Sequence, residues 1–279
     1  MKHRLFLSLP LLCAALSIEA KSKKPKKTRR PTATTSQSQQ STPPPLTKQP
    51  NALVVDMISM DTESVLACLQ KYLPTNPIVV EAESYDGKDT KKMAALWPYG
   101  QIYAFEPVPE NFINLEKNTL DSANIKRFPL ALSNQNGMAD FFSSAHITTP
   151  KTQDDTPQEP LIPDHGVIFN TVLSVPTITL DTWAQQNNIE TVDLLWLDMQ
   201  GYELNLIKSS PNILKTVTVI YTEVEFVKAY KEQYQYKDVK EFLENQGFIF
   251  VAKDFGELPI YWFGNAVFVR KEVLTKEKK

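Results

Sequence analysis

From residue 51 onward, short continuous apolar runs alternate with segments whose apolar residues recur at helical spacing. Val65, Leu66, Cys68, Leu69 and Tyr72 mark a helix over 62–72, which Pro74 and Pro77 end. Ile78-Val79-Val80 opens a strand, 88–96 reads as a helix stopped before Pro98, and 101–105 as the next strand. A helix over 110–120 follows, with Phe112, Ile113 and Leu115 as its apolar contacts, then strands at 127–132 and 139–143. Residues 144–172 are largely polar, contain four prolines and show no period, as expected of an insertion or lid. Beyond it come a helix at 181–187, a strand at 192–197, a helix at 202–208 and a strand at 217–223. A helix at 239–245 and strands at 248–252 and 266–270 close the series. This alternation predicts an α/β domain over 51–279 with a mainly parallel sheet. Its last two strands, with few residues between them, should form an antiparallel edge pair.

The first fifty residues follow a different pattern. Basic Lys2, His3 and Arg4 precede the apolar run 5–16, about a dozen residues where a spanning helix needs roughly 20. Small residues at Ala15 and Ser17, with Ala20 as a later choice, complete the outline of an export signal over 1–20. The expectation is export, with an uncleaved anchor or a cytoplasmic location as alternatives. Removal of the signal would leave no transmembrane span and Cys68 as the sole thiol. Residues 21–50 form a Lys/Arg block and a Ser/Thr/Gln/Pro tract, a composition expected to remain disordered.

Charge sharpens the division. Residues 1–50 carry a net +9, and 51–279 a net −11. A body that acidic repels phosphate backbones, which argues against nucleic acid as its partner. The 8 glycines are too scattered for a G-x-G-x-x-G turn or a Walker loop, and no G-x-S-x-G elbow is present. Three histidines and two cysteines lack zinc-ligand spacing, so no metal is expected.

Ligands of open α/β sheets bind beyond the carboxyl ends of the strands. Four expected strand ends carry acids there: Glu81, Glu83 and Asp86 before Gly87; Glu106; Asp198 and Glu203; and Glu223 with Glu225. Glu106, which follows a strand, is placed to accept hydrogen bonds from a ribose diol, since an ionised carboxylate only accepts. Each of these acids has a plainer alternative role at a helix N-terminus. His146 and His165 fall in the insertion as loop histidines, and Trp183 and Trp196 lie in periodic stretches that suit a core.

Five segments together resemble the FkbM-type methyltransferases. They are Ile102-Tyr103-Ala104-Phe105-Glu106-Pro107-Val108-Pro109-Glu110-Asn111-Phe112, Ala131-Leu132-Ser133, and Leu195-Trp196-Leu197-Asp198-Met199-Gln200-Gly201-Tyr202-Glu203. Tyr221-Thr222-Glu223-Val224 and Gly264-Asn265-Ala266-Val267-Phe268-Val269-Arg270 complete the set, spread over roughly 75–270. The resemblance implies a Rossmann-like class I methyltransferase fold. It also implies S-adenosylmethionine as cofactor and a small-molecule hydroxyl acceptor, such as a sugar or related metabolite. On that likeness Glu106 holds the ribose, and Leu132 and Ser133 lie near the adenine. Glu81, Asp86 and Gly87 belong to the loop facing the methionine moiety, and Asp198, Gly201 and Glu203 line the methyl-transfer side. The family has glycine where this chain has Glu83, whose side chain must either crowd the cofactor, turn away, or face its cationic groups.

An alcohol acceptor must lose a proton, and Asp198 is the first candidate to receive it, with Glu223 second. Alternatively the chain has kept the fold and lost turnover, serving as an exported binding module. Glu83 and the export signal motivate that reading.

Overall fold

The computed structural model describes residues 55–56, 62–146, 167–228, 230–231, 233–255 and 262–276. The expected signal and linker, and the greater part of the expected insertion, lie outside the described residues. In chain order the elements begin with β1 (Val55–Asp56), α1 (Thr62–Gln70), β2 (Ile78–Ala82), α2 (Lys88–Leu96), β3 (Gln101–Phe105) and α3 (Pro109–Thr119). Next come β4 (Ile125–Phe128), β5 (Ala131–Leu132), β6 (Gly137–His146), β7 (Val167–Ile178), α4 (Leu180–Gln186) and β8 (Leu194–Leu197). The series closes with α5 (Glu203–Lys208), α6 (Pro211–Leu214), β9 (Val219–Glu225), α7 (Tyr236–Asn245), β10 (Phe248–Lys253), β11 (Phe263–Arg270) and α8 (Lys271–Lys276).

Eight strands form the main sheet in the order β1-β10-β11-β9-β8-β2-β3-β4. The central pairings β8–β9, β2–β8, β2–β3 and β3–β4 are parallel. As expected, β10 and β11 are antiparallel, but β11 inserts between β9 and β10 and runs against both. The short β1 lies outside β10. Both faces of the sheet are covered, which is why its strands read as continuous apolar runs rather than alternating ones. Val80, Ala82, Phe105, Leu195, Leu197 and Ile220 pack on one side in a cluster with Trp183 of α4 and Leu243 of α7. Their strand neighbours Val79, Ile102, Ala104, Leu194 and Val219 pack on the other with Leu66, Met93 and Leu115 of α1, α2 and α3.

The single strand expected over 127–132 is two strands in different sheets, because Pro129 interrupts the ladder between β4 and β5. β5, β7 and β6 make a separate three-stranded sheet. β6 runs to His146 and β7 begins at Val167, so both ends of the expected insertion 144–172 are strand rather than lid. The inward residues Phe141 and Val175 form a small cluster with Val108 and Ala131, which anchors this sheet beside the start of α3.

Candidate active site

The chain starts its central sheet at β2, moves outward through β3 and β4, then returns to the opposite side of β2 with β8 and β9. The carboxyl ends of β2 and β8 therefore flank a topological switch point, where open α/β sheets leave a crevice. A cavity of about 400 Å³ lies there, within the roughly 300–1,000 Å³ typical of small-molecule sites. Of the acids singled out above, Glu81, Glu83, Asp86, Glu106, Asp198 and Glu223 line it. Four strand ends spread over more than a hundred residues of sequence thus converge on one space.

Glu106 is buried just past β3. Its Oε2 accepts the Tyr85 N–H at 2.8 Å, and its Oε1 accepts the Val108 N–H at 2.8 Å. These bonds fix the carboxylate at the junction of the loop after β2 and the start of α3. Each oxygen has a second lone pair, which suits a vicinal diol. Glu81 is buried in β2 itself, where the Thr90 hydroxyl donates to its Oε2 at 2.5 Å. Burial pushes its carboxyl up to about 8, against the lowering effect of the Thr90 bond.

The loop after β2 carries the family's expected departure. Glu83 has φ 60 and Tyr85 φ 48, both in the left-handed region that glycine enters without strain. Glu83 thus holds a conformation that suits glycine, and its side chain joins the cavity wall. Asp86 holds the following turn, accepting the Lys88 N–H at 3.2 Å and pairing with the Lys88 ammonium at 2.5 Å. Gly87 (φ 77) is the α2 N-cap and is absent from the cavity wall. A Cβ there would come within 2.6 Å of Leu115 Cδ1 and 2.9 Å of Thr119 Cγ2. Gly87→Ala should therefore cost about 2–3 kcal/mol, combining the left-handed penalty with overpacking, and a thermal melt would read the loss.

On the β8 side, Asp198 is exposed while Glu223 of β9 is buried. Burial is the largest cause raising the Glu223 carboxyl well above the usual range, followed by the charges of Asp198, Glu225 and Glu203. The Gln200 amide donates to Asp198 Oδ1 at 3.1 Å and to Glu223 Oε2 at 3.0 Å. Glu203 does not line the cavity. It is buried beneath the turn and accepts the Met199 N–H at 2.7 Å and the Gly201 N–H at 3.4 Å. Burial pushes its carboxyl up to about 7, opposed by those backbone donors.

Leu132 and Ser133, expected near an adenine, are also absent from the cavity wall. Leu132 is a core residue, and Ser133 donates its N–H to Ile178 O at 2.9 Å to join β5 to β7. Phe141 of β6 and Asn111 of α3 line the cavity instead. Asn111 stands within the segment 102–112, but its exposure to the crevice depends on the rotation of α3. Phe141 reaches the site only through the second sheet. Trp183 is core, whereas Trp196, nearly buried and stacked on Tyr221 at 3.8 Å between centroids, also touches the cavity.

Seven acidic side chains and two lysines line the space, and with Glu81 and Glu223 held toward the protonated form by burial the other five acids still outnumber the lysines. Both lysines are paired, Lys88 with Asp86 and Lys92 with Asp89 and Glu63. Such a crevice favours a ligand with positive charge. Among the described residues no group of three or more His, Cys, Asp or Glu is arranged to hold a metal ion.

The parallel sheet with its reversed strand β11 and the acid-lined crevice at its switch point are the Rossmann-like arrangement of a methyltransferase-type fold. The family model of the FkbM methyltransferase domain matches residues 81–250, and the chain belongs to that family. It is 29% identical over 163 residues to the 2-O-methyltransferase NoeI of Sinorhizobium fredii (strain NBRC 101917 / NGR234), covering 57% of this chain and 67% of that protein. Among solved structures it is similar to magnesium protoporphyrin IX methyltransferase from Synechocystis PCC 6803 with bound SAM. That likeness has a TM-score of 0.44 at 12% identity, over 75% of this chain and 77% of that one. An rRNA methylase from Streptococcus thermophilus gives a TM-score of 0.45 at 12% identity, over 76% and 98% of the two chains.

Proposed function

We propose that this methyltransferase takes S-adenosylmethionine in the switch-point crevice and methylates a hydroxyl of a sugar or related metabolite. The residues present fit the cofactor. Glu106 offers an anchored carboxylate for the ribose diol, and the surplus of acids suits a ligand whose sulfonium and ammonium outweigh its carboxylate. When bound, the cofactor supplies a methyl group already activated on sulfur. The protein then has to align the acceptor and receive its proton.

The observation that carries the hydroxyl reading is the exposed Asp198 beside the buried Glu223, inside the same cavity. Two neighbouring carboxyls in unlike environments separate into a proton holder and a proton acceptor. Asp198 is the acceptor in this reading and takes the proton of the attacking hydroxyl. The likeness to a 2-O-methyltransferase supports the same chemistry. The test is release of S-adenosylhomocysteine by the full chain against a panel of hexoses, 6-deoxyhexoses and amino sugars. Asp198→Asn should lower kcat by roughly 10²–10⁴-fold and move the KM for S-adenosylmethionine far less, as expected for a group acting mainly in the transition state. Undiminished kcat in that variant would remove Asp198 from the proton path.

A further inference from the structure

Gln200 stands between the two carboxylates on which the proposed proton transfer rests. Its single amide nitrogen lies 3.1 Å from Asp198 Oδ1 and 3.0 Å from Glu223 Oε2. A side-chain amide has two N–H bonds, so one group can donate to both acids at once. Its backbone has φ 54, and Gly201 follows at φ 90. Glycine would adopt that conformation without the penalty a Cβ brings. The turn is also secured without the Gln200 side chain, because Glu203 accepts the N–H groups of Met199 and Gly201 from below. What glutamine adds at this position is therefore its amide.

The geometry points to Gln200 as a positioning residue of the transfer site, tying the exposed Asp198 to an anchor in the sheet so that the proton-accepting carboxylate keeps one place over the cavity. The anchor is well held, since Glu223 sits on β9 between the parallel β8 and the antiparallel β11. The charged or titratable groups acting on Glu223 are Asp198, which also shares a side-chain hydrogen bond with it, Glu225 and Glu203, and Tyr221 feels its charge; Gln200 adds a second link between the two acids. Its register partner on β11 is the neutral Asn265. Burial and the acids favour the protonated form of Glu223, whereas a donated amide hydrogen bond favours the charged form. Loss of the amide should therefore move its titration upward.

The test uses the full chain and Gln200→Gly, which removes the amide while easing the backbone. Carbon-13 NMR of glutamate-labelled protein, with the Glu223 signal assigned through Glu223→Gln, follows the titration. The expected result is a Glu223 midpoint moved upward from that of the wild type, with a melting temperature equal to or above wild type. A fall in kcat of at least roughly tenfold accompanies it on any sugar the wild type methylates. An unmoved midpoint together with unchanged kcat overturns the positioning role. Calorimetry with S-adenosylhomocysteine separates this from failure of the underlying reading. A wild-type protein that takes up none at millimolar concentration sinks the transferase reading, and the Gln200 role with it. Binding with an unmoved Glu223 and unchanged kcat sinks the Gln200 role alone.

Discussion

Glu106→Ala is expected to weaken S-adenosylhomocysteine binding by two to three orders of magnitude in a calorimetric titration. The reasoning begins with the two backbone bonds that hold the carboxylate, from Tyr85 and Val108. They remove the entropy a free side chain would lose on binding, so the ribose meets an acceptor already in place. Hydrogen bonds to a charged group contribute roughly 1.5–3 kcal/mol each, and losing two at the lower end of that range amounts to about 3–4 kcal/mol, or 10²–10³-fold. Removing the side chain also releases the loop after β2, so a second arm is needed. A cofactor analogue lacking the ribose 2′-hydroxyl should bind the wild type more weakly and Glu106→Ala no more weakly than the parent compound does. That double-mutant logic isolates the diol contact from the loop. Equal affinity of wild type and Glu106→Ala for S-adenosylhomocysteine would take the ribose out of this corner of the crevice.

The second large effect concerns stability and pH. Glu81 is buried in β2, and desolvation lifts its carboxyl to about 8 from an ordinary value of 4.5. The folded protein therefore keeps a proton that the unfolded chain releases near pH 4.5. The stabilisation is full below pH 4.5, declines as pH rises and is lost by about pH 8, a swing of up to roughly 5 kcal/mol. Glu203, lifted to about 7, and Glu223, lifted by burial, act in the same direction. Glu81→Gln removes the ionisation and retains an oxygen for the Thr90 hydroxyl. Urea unfolding at pH 5, 7 and 9 should show wild-type stability falling across the series. The variant should fall less steeply and exceed wild type by roughly 2–4 kcal/mol at pH 9. Parallel profiles for the two proteins would mean that Glu81 ionises in the fold as it does in water.

Much of the architecture was legible because both faces of the sheet are buried. A strand such as β2 or β8 then appears as an uninterrupted apolar run, and the carboxylate that follows it is easily marked as a strand end. Glu81, Glu106, Asp198 and Glu223 were found that way, and all four line the crevice. The β6–β7 hairpin was less visible. Over its described side chains β7 exposes Val172, Ser174 and Pro176, while Val175 and the half-buried Leu173 meet a core. A half-exposed strand with a proline offers neither a run nor a clean alternation.

The site residues divide on the same physical line. Local order along the chain marks which acids follow strands, but it does not say which way a side chain leaves a turn. Glu203 and Asp198 stand five positions apart on one turn, yet Glu203 turns under it to hold two backbone N–H groups while Asp198 lines the cavity. Leu132 and Ser133 serve the seam between sheets, and Phe141, from a strand in the other sheet, takes a place on the wall. Gln200 could be read as a letter within a family segment, but its link from Asp198 to Glu223 exists only once β8 and β9 lie side by side.

The amino-acid sequence alone determined the class of fold and the acids available for chemistry, since period and strand-end composition are local properties written in order along the chain, and five segments carried the resemblance to the family. Only the tertiary structure decided which of those acids share a space, which are buried deeply enough to keep a proton, and which are spent on holding a turn. Those outcomes depend on desolvation and on distances between residues far apart in the chain, and both arise when the sheet closes around its switch point.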